Sequence, residues 1–105
     1  MKQFYDVAVP EKSTAWVELV FDAPVRKARI AITSNAYIGI AKTGEEPTTC
    51  YRFSAGNQEF DFQSANTGKG ITSLFVRALT DTASAFNMYV SVTEYGSNGD
   101  NEYFV

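Results

Sequence analysis

The chain has 105 residues, with 12 acidic and 9 basic side chains, no histidine and one cysteine. This length fits one domain, and the hydrophobic share of 45% is typical of a folded globular protein rather than a disordered one. The net charge of −3 speaks against a nucleic-acid partner, and the missing histidine removes the commonest general base and metal ligand. Composition thus predicts no metal, cofactor or intrachain disulfide, and any sharper function has to come from a resemblance.

The composition favours strands, because the 14 valines and isoleucines, ten threonines and 15 aromatic residues pack well on a pleated surface. Apolar and polar residues alternate with a period of two, as in 15–22, 28–32 and 86–93. Turn-forming residues separate these runs, including a turn expected at 22–24. The pattern predicts about eight strands, near 3–9, 15–22, 25–33, 36–42, 49–54, 58–63, 71–79 and 86–95.

Short strands with turns every 8 to 12 residues or so predict an all-β fold, a single antiparallel β-sandwich of jelly-roll or immunoglobulin-like type. No run shows the apolar spacing of a substantial helix, and neither a secretory signal nor a membrane-spanning segment is expected. We expect the sandwich to occupy residues 1–95. Residues 96–105 then form a C-terminal extension, a polar linker followed by an aromatic tail.

The residues that could carry catalysis have ordinary structural explanations. Cys50 has no histidine to activate it and lies in a predicted strand, where we expect it to act as a small hydrophobe. Asn98, Asp100 and Glu102 place oxygen-bearing side chains at alternate positions but lack the full ligand pattern of a calcium loop, so a flexible acidic connector is expected there. Several other carboxylates fall mostly on the solvent face of alternating strands, at Asp6, Glu18, Asp22, Glu59 and Asp61.

Arg26, Lys27 and Arg29 form the basic cluster of the sequence. Three cations on an acidic chain make a poor nucleic-acid footprint, so a solvated strand edge is the expected role. The alternative is pairing with an acidic neighbour, in the same sheet or on another subunit.

Several aromatic residues fall on the polar phase of their strands, Trp16, Tyr37, Tyr89 and Tyr95 among them. Exposed rings stack on sugars or lie at protein interfaces, whereas the structural alternative is a second, smaller core. So many rings on the wet phase indicate that some strands are covered on both faces. The cover would be a loop of the same domain or a partner chain.

The C-terminal residues Tyr103, Phe104 and Val105 follow a polar, glycine-containing stretch. They have the form of a tethered anchor, and strand addition to the sheet edge of a neighbour would bury them. The alternatives are that the tail folds back onto its own domain or stays disordered.

From Arg29 to Tyr95 the chain resembles small structural proteins of tailed bacteriophage virions. The resemblance is carried by the strand pair 30–32 and 38–41, the loop 44–49, the stretch 54–57 before Phe60, and the turn 83–85 that leads to 90–95. It implies a compact β-sandwich attached to a capsid or tail, without enzymatic activity and with symmetric self-association. The Trp16 strand and the aromatic tail lie outside it.

The function expected from this resemblance is that of a capsid decoration or cement protein, located in the virion and assembled in the host cytoplasm. It would bind the major capsid or another virion protein and form a homo-oligomer, for which we expect a trimer. The alternatives are a tail, neck or head-fibre component, or a carbohydrate-binding module with Trp16, Tyr37 and Tyr89 as its stacking platform. The expected interface residues are Phe4, Tyr5, Trp16, Tyr37, Tyr103, Phe104 and Val105.

Overall fold

A computed structural model describes residues 2–63 and 68–96. Within them the fold is all-β and antiparallel, as predicted, with seven strands in one hydrogen-bonded sheet. No helix in this part of the chain is long and apolar enough to cross a membrane. The strands are β1 (Phe4–Val9), β2 (Val17–Ile32), β3 (Ala36–Ile40), β4 (Cys50–Phe53), β5 (Gly56–Asp61), β6 (Ile71–Ala78) and β7 (Phe86–Tyr95).

The predicted turn at 22–24 is wrong, because the second and third predicted strands are one strand of 16 residues, β2. The pairing of β2 with β6 shifts register between Val20 and Val25, which marks a bulge or irregularity at this point. Pro24 lies there, and proline is tolerated at a bulge because no ladder hydrogen bond has to be donated. Turn-forming residues therefore mark a distortion within one strand and not the end of it.

The sheet order is β1-β7-β2-β6-β3-β4, and β5 pairs with β2 beside this path. The second half of β2 pairs with β7 on one side and β5 on the other. Val25 pairs with Ile71 of β6 and with Tyr95 of β7, so these two strands also lie on opposite sides of β2. Every strand packs side chains into one core cluster, so the sheet curls around that core. The β-sandwich arrangement, whether of jelly-roll or immunoglobulin-like type, stays a prediction.

The period-two pattern places the core residues where the sequence predicted them. In β7, Phe86, Met88, Val90 and Val92 are buried, and so are the alternate residues at 28, 30 and 32 of β2. Burying one such side chain stabilises the folded state by roughly 1.5–3 kcal/mol relative to leaving it in water. The alternation therefore fixes which face of each strand points inward.

A hydrogen-bond network of two tyrosines joins the start of β1, the irregular part of β2 between Val20 and Val25, and the end of β7. The hydroxyl of Tyr95 donates to the backbone carbonyl of Lys2, and the hydroxyls of Tyr5 and Tyr95 are 2.9 Å apart. The backbone N–H of Asp22 donates to the Tyr5 hydroxyl at 3.1 Å. Burial is the main cause that raises the pKa of Tyr95 above its ordinary value, and the bond with Tyr5 adds to it.

Tyr5 does not take the surface position that its predicted interface role requires. Its side chain is 6% exposed and packs edge-on against Phe21, with ring centroids 5.0 Å apart. The alternation of β1 explains this placement, because Tyr5 shares its face with the buried Val7 and Val9. Within this chain Tyr5 is a core residue with a hydrogen-bonded hydroxyl.

Candidate interaction surface

Trp16 and Tyr37 lie together on the outer face of the sheet, around the side chain of Arg77. The Arg77 guanidinium carbon is 5.2 Å from the centroid of the Trp16 ring and 4.5 Å from that of Tyr37. Trp16 also meets Phe75 edge-on, with centroids 6.4 Å apart. Antiparallel pairing sets this up, since Tyr37 of β3 lies directly opposite Arg77 of β6. We call these four residues the Trp16 cluster.

The loop between β3 and β4 covers the sheet beside the Trp16 cluster, and Glu18 holds it there. Glu18 Oε2 accepts hydrogen bonds from the Gly44 backbone N–H and from the Ser73 hydroxyl, both at 2.9 Å. The Thr43 hydroxyl lies 2.9 Å from that of Ser73, which is fully buried. Glu18 was expected to be a solvated carboxylate, but it is half-buried and joins the loop to β6.

Pro47 of the same loop lies directly over Gly39 of β3. A Cβ at Gly39 would lie 2.6 Å from Pro47 Cβ, so the loop reaches this position only because residue 39 has no side chain. Phe75 is 3% exposed under this cover. The sequence predicted that a loop of the same domain or a partner chain would cover the outer-face aromatic residues. At this end of the sheet the cover is the loop between β3 and β4 of the same chain.

A second surface lies on the outer face of β1 and β7, where Phe4 and Tyr89 are 69% and 47% exposed. Register places both on one face, since Phe4 lies opposite Ser91 and Tyr89 lies opposite Asp6. They line an open groove of about 420 Å³, which we call the Phe4–Tyr89 groove. Its other lining residues are Lys2, Tyr5, Asp6, Arg29, Ala31, Val90 and Ser91.

Arg29 gives the Phe4–Tyr89 groove a positioned cation. Its Nη1 donates to the Asn57 side-chain oxygen on β5 at 2.9 Å, which holds the guanidinium beside the groove. The rest of the predicted basic cluster is paired within the chain, as one alternative proposed. Arg26 lies 3.2 Å and Lys27 3.8 Å from the Glu94 carboxylate.

A third opening lies between β4 and β5, which follow each other in the chain but are not paired with each other. Its volume is about 570 Å³, and Tyr51, Phe53 and Phe60 are among the residues that line it. The rings of Phe53 and Phe60 stack with centroids 5.4 Å apart, and Phe62 stacks on Phe60 at 5.9 Å. Tyr51 is 58% exposed at the side of this aromatic column.

Cys50 is the first residue of β4, and its side chain is exposed rather than packed as the expected small hydrophobe. The error has a physical source, because β4 lies at the end of the sheet order and most of it faces solvent. Among the described residues no group of three metal-ligating side chains comes together. The carboxylates of Asp6, Asp22 and Asp61 are exposed, as predicted.

The structure brings together some of the predicted interface residues and separates others. Trp16 and Tyr37 share the Trp16 cluster, whereas Tyr89 belongs to the Phe4–Tyr89 groove, with β2 and β6 between β7 and β3 in the sheet order. The stacking platform of Trp16, Tyr37 and Tyr89 is therefore not formed. The predictions for Tyr103, Phe104 and Val105, and for the oxygen-bearing side chains at 98, 100 and 102, lie outside the described residues.

Two arginines of these surfaces were not predicted to act there. Arg77 lies on the polar phase of β6 beside Phe75, and that alternation could have placed it on the outer face. Its contacts with Trp16 and Tyr37 depend on the pairing of β6 with β2 and with β3, which the sequence does not specify. Arg29 was recognised only as part of a charge cluster.

Comparison with known proteins found a solved structure that is similar to this chain. It is a de novo designed double-stranded β-helix determined by solution NMR, 18% identical in sequence. The match covers 86% of this chain and 97% of the designed one, with a TM-score of 0.49. Neither the family models nor the curated proteins gave a match.

Proposed function

We propose that this protein is a non-enzymatic structural protein of a tailed-phage virion, a capsid decoration protein that binds the shell through the Phe4–Tyr89 groove. The exposure of two aromatic rings in one groove carries the proposal. Phe4 and Tyr89 present large apolar area beside Arg29, and buried aromatic and arginine side chains dominate the binding energy of protein interfaces. The resemblance of 29–95 to virion structural proteins supplies the partner.

The Phe4–Tyr89 groove is suited to binding a protein partner rather than to catalysing a reaction on a substrate. Its floor and walls come from β1, β2 and β7, which are paired over most of their length and hold the rings in place. Preformed surfaces lose less conformational entropy on binding than loops that must order first. Lys2 and Arg29 are cationic, and Asp6 opposite Tyr89 is anionic, so the matching surface on the shell would place mainly carboxylates, with a cation facing Asp6, around an apolar centre.

Self-association is part of the proposal, with a trimer as the expected closed assembly. Copies arranged around a threefold axis would present the same groove repeatedly to a symmetric shell. The avidity of several linked grooves would then exceed the affinity of one. A tail, neck or head-fibre component would use the same groove but be present in few copies per particle.

The proposal is tested on particles purified from cells in which this chain and its capsid are produced together. We expect the chain to band with the particles in a density gradient, in a copy number that scales with the capsid protein. The double variant Phe4→Ser, Tyr89→Ser should remain folded and be lost from the particles by more than tenfold. The control is Tyr51→Ser, which removes a ring outside the groove whose exposure lies between those of Phe4 and Tyr89.

Two results would overturn the proposal. One is a wild-type chain that stays in the soluble fraction while capsids sediment without it. The other is a double variant that decorates particles as well as the Tyr51→Ser control. A constant few copies per particle would replace decoration with the tail or neck role.

A further inference from the structure

Two strand edges of the sheet are free among the residues that the structure describes. β4 pairs along all four of its residues with β3 and ends the sheet order, so its other edge is open. β5 pairs with β2 without a shift of register, and no described strand pairs with its other edge. Both strands line the opening of about 570 Å³. An open edge presents a row of N–H and C=O groups that another strand can pair with.

The core side of β5 is incompletely covered at this opening. Gln58 lies opposite the buried Ile30, which places it on the inward phase of the strand, yet it is exposed. Phe60 takes the same phase and is half-buried, packed on Phe53 with ring centroids 5.4 Å apart. Inward-facing surface therefore stays open to water within the described part of the chain, and covering it would favour association.

The outward-facing side chains of the two edges carry opposite charges. On β4, Arg52 is exposed and lies opposite Tyr37 of β3, and no carboxylate of the described residues forms an ion pair with it. On β5, Glu59 is exposed and lies opposite Arg29 of β2. Since β4 and β5 are not paired with each other in one chain, these complementary edges are available to a second copy.

We propose that copies of this chain associate by pairing the β4 edge of one copy with the β5 edge of the next. The strands run antiparallel, and Arg52 lies opposite the partner's Glu59. This contact rests on the proposed self-association and names the two surfaces that carry it. Each copy has one edge of each kind, so the contact can repeat from copy to copy and close a ring. Pairing satisfies the open backbone groups of both edges and covers the inward-facing side chains at the opening.

The register of the contact follows from antiparallel counting. With Arg52 opposite the partner's Glu59, Cys50 lies opposite the partner's Asp61. Each Glu59 then has Arg29 of its own sheet on one side and Arg52 of the neighbouring copy on the other. Opposite charges in such cross-strand pairs stabilise a sheet, whereas like charges destabilise it. The charges of the two edges therefore favour this register.

Charge reversal tests the contact, with association measured by size-exclusion chromatography and light scattering. Arg52→Glu and Glu59→Arg each place like charges opposite each other, so each should raise the concentration of half-association at least about fivefold. The double variant Arg52→Glu, Glu59→Arg restores opposite charges and should return to within about twofold of wild type. Comparing it with Glu59→Arg alone is the sharpest measurement, because both place an arginine beside Arg29.

Two variants serve as controls and should associate like wild type. Lys12→Glu makes the same charge reversal at an exposed cation in the turn after β1. Tyr51→Ser leaves the backbone groups and the ion pair in place. An oligomer that ignores every charge variant would refute this contact but keep self-association. A dimer that responds to them would keep the contact and refute the expected trimer, and a wild-type chain that stays monomeric would refute both.

The exposed Cys50 reports the register directly. Opposed residues of an antiparallel pair have Cα atoms about 4.5–5.5 Å apart, within disulfide range. Under mild oxidation, Asp61→Cys should link copies at least about tenfold faster than Asn57→Cys, in which the new thiol lies four residues away along β5. Equal rates for the two variants, or a disulfide within one chain, would refute the register.

Discussion

Glu18 links the loop between β3 and β4 to the sheet, so its removal should loosen that loop. Glu18→Ala removes the acceptor of the Gly44 N–H and leaves the buried Ser73 hydroxyl with only the Thr43 hydroxyl as a partner. A hydrogen bond to a charged group contributes about 1.5–3 kcal/mol, but water can solvate the exposed Gly44 N–H, which reduces the loss. We expect Glu18→Ala to lower the free energy of unfolding by about 2 kcal/mol. Glu18→Gln keeps an oxygen acceptor and should cost about half as much.

The assays are denaturant unfolding and limited trypsin cleavage at Lys42, which lies in the loop. A change of about 2 kcal/mol in loop opening corresponds to about 30-fold faster cleavage when opening and closing are fast. Glu46→Ala, which removes an exposed carboxylate of the same loop, is the matched control and should change stability by less than about 0.5 kcal/mol. If Glu18→Ala is cleaved at the rate of Glu46→Ala and unfolds at the same denaturant concentration, Glu18 does not hold the loop.

Three further outcomes are expected. Leu74→Ala, at a fully buried position, should cost about 2–5 kcal/mol in denaturant unfolding, and Val20→Ala, at a half-exposed one, less than about 1 kcal/mol. Because folding raises the pKa of Tyr95, its contribution to stability is complete below about pH 10 and falls as pH rises further. Tyr95→Phe should therefore show a shallower alkaline loss of stability, by at most about 1.4 kcal/mol per pH unit, and an equal slope would refute this. The exposed Cys50 should react with a thiol reagent in the native protein as fast as a free thiol, and reaction only after unfolding would contradict its placement.

The sequence predicted which aromatic side chains lie on the polar face of their strands, but it did not predict which of these side chains lie next to each other. The polar phase of Trp16, Tyr37 and Tyr89 is visible in the sequence, because side-chain direction in a strand depends only on whether a position is odd or even. Which of these rings meet depends on strand order, and β3 neighbours β6 whereas Tyr89 lies two strands further on. Tyr5 is a different case, because the alternation of β1 already places it on the buried face with Val7 and Val9, so the sequence pattern indicated a core position.

The sequence determined by itself that the chain is all-β and antiparallel and which face of most strands is buried, because period-two alternation and turn residues are local properties. Three features are visible only in the folded chain: β2 runs unbroken past Pro24, Glu18 holds a loop over Ser73, and Phe4 and Tyr89 share one groove. Each of these depends on contacts between residues far apart in the chain, and no local pattern encodes which strands become neighbours.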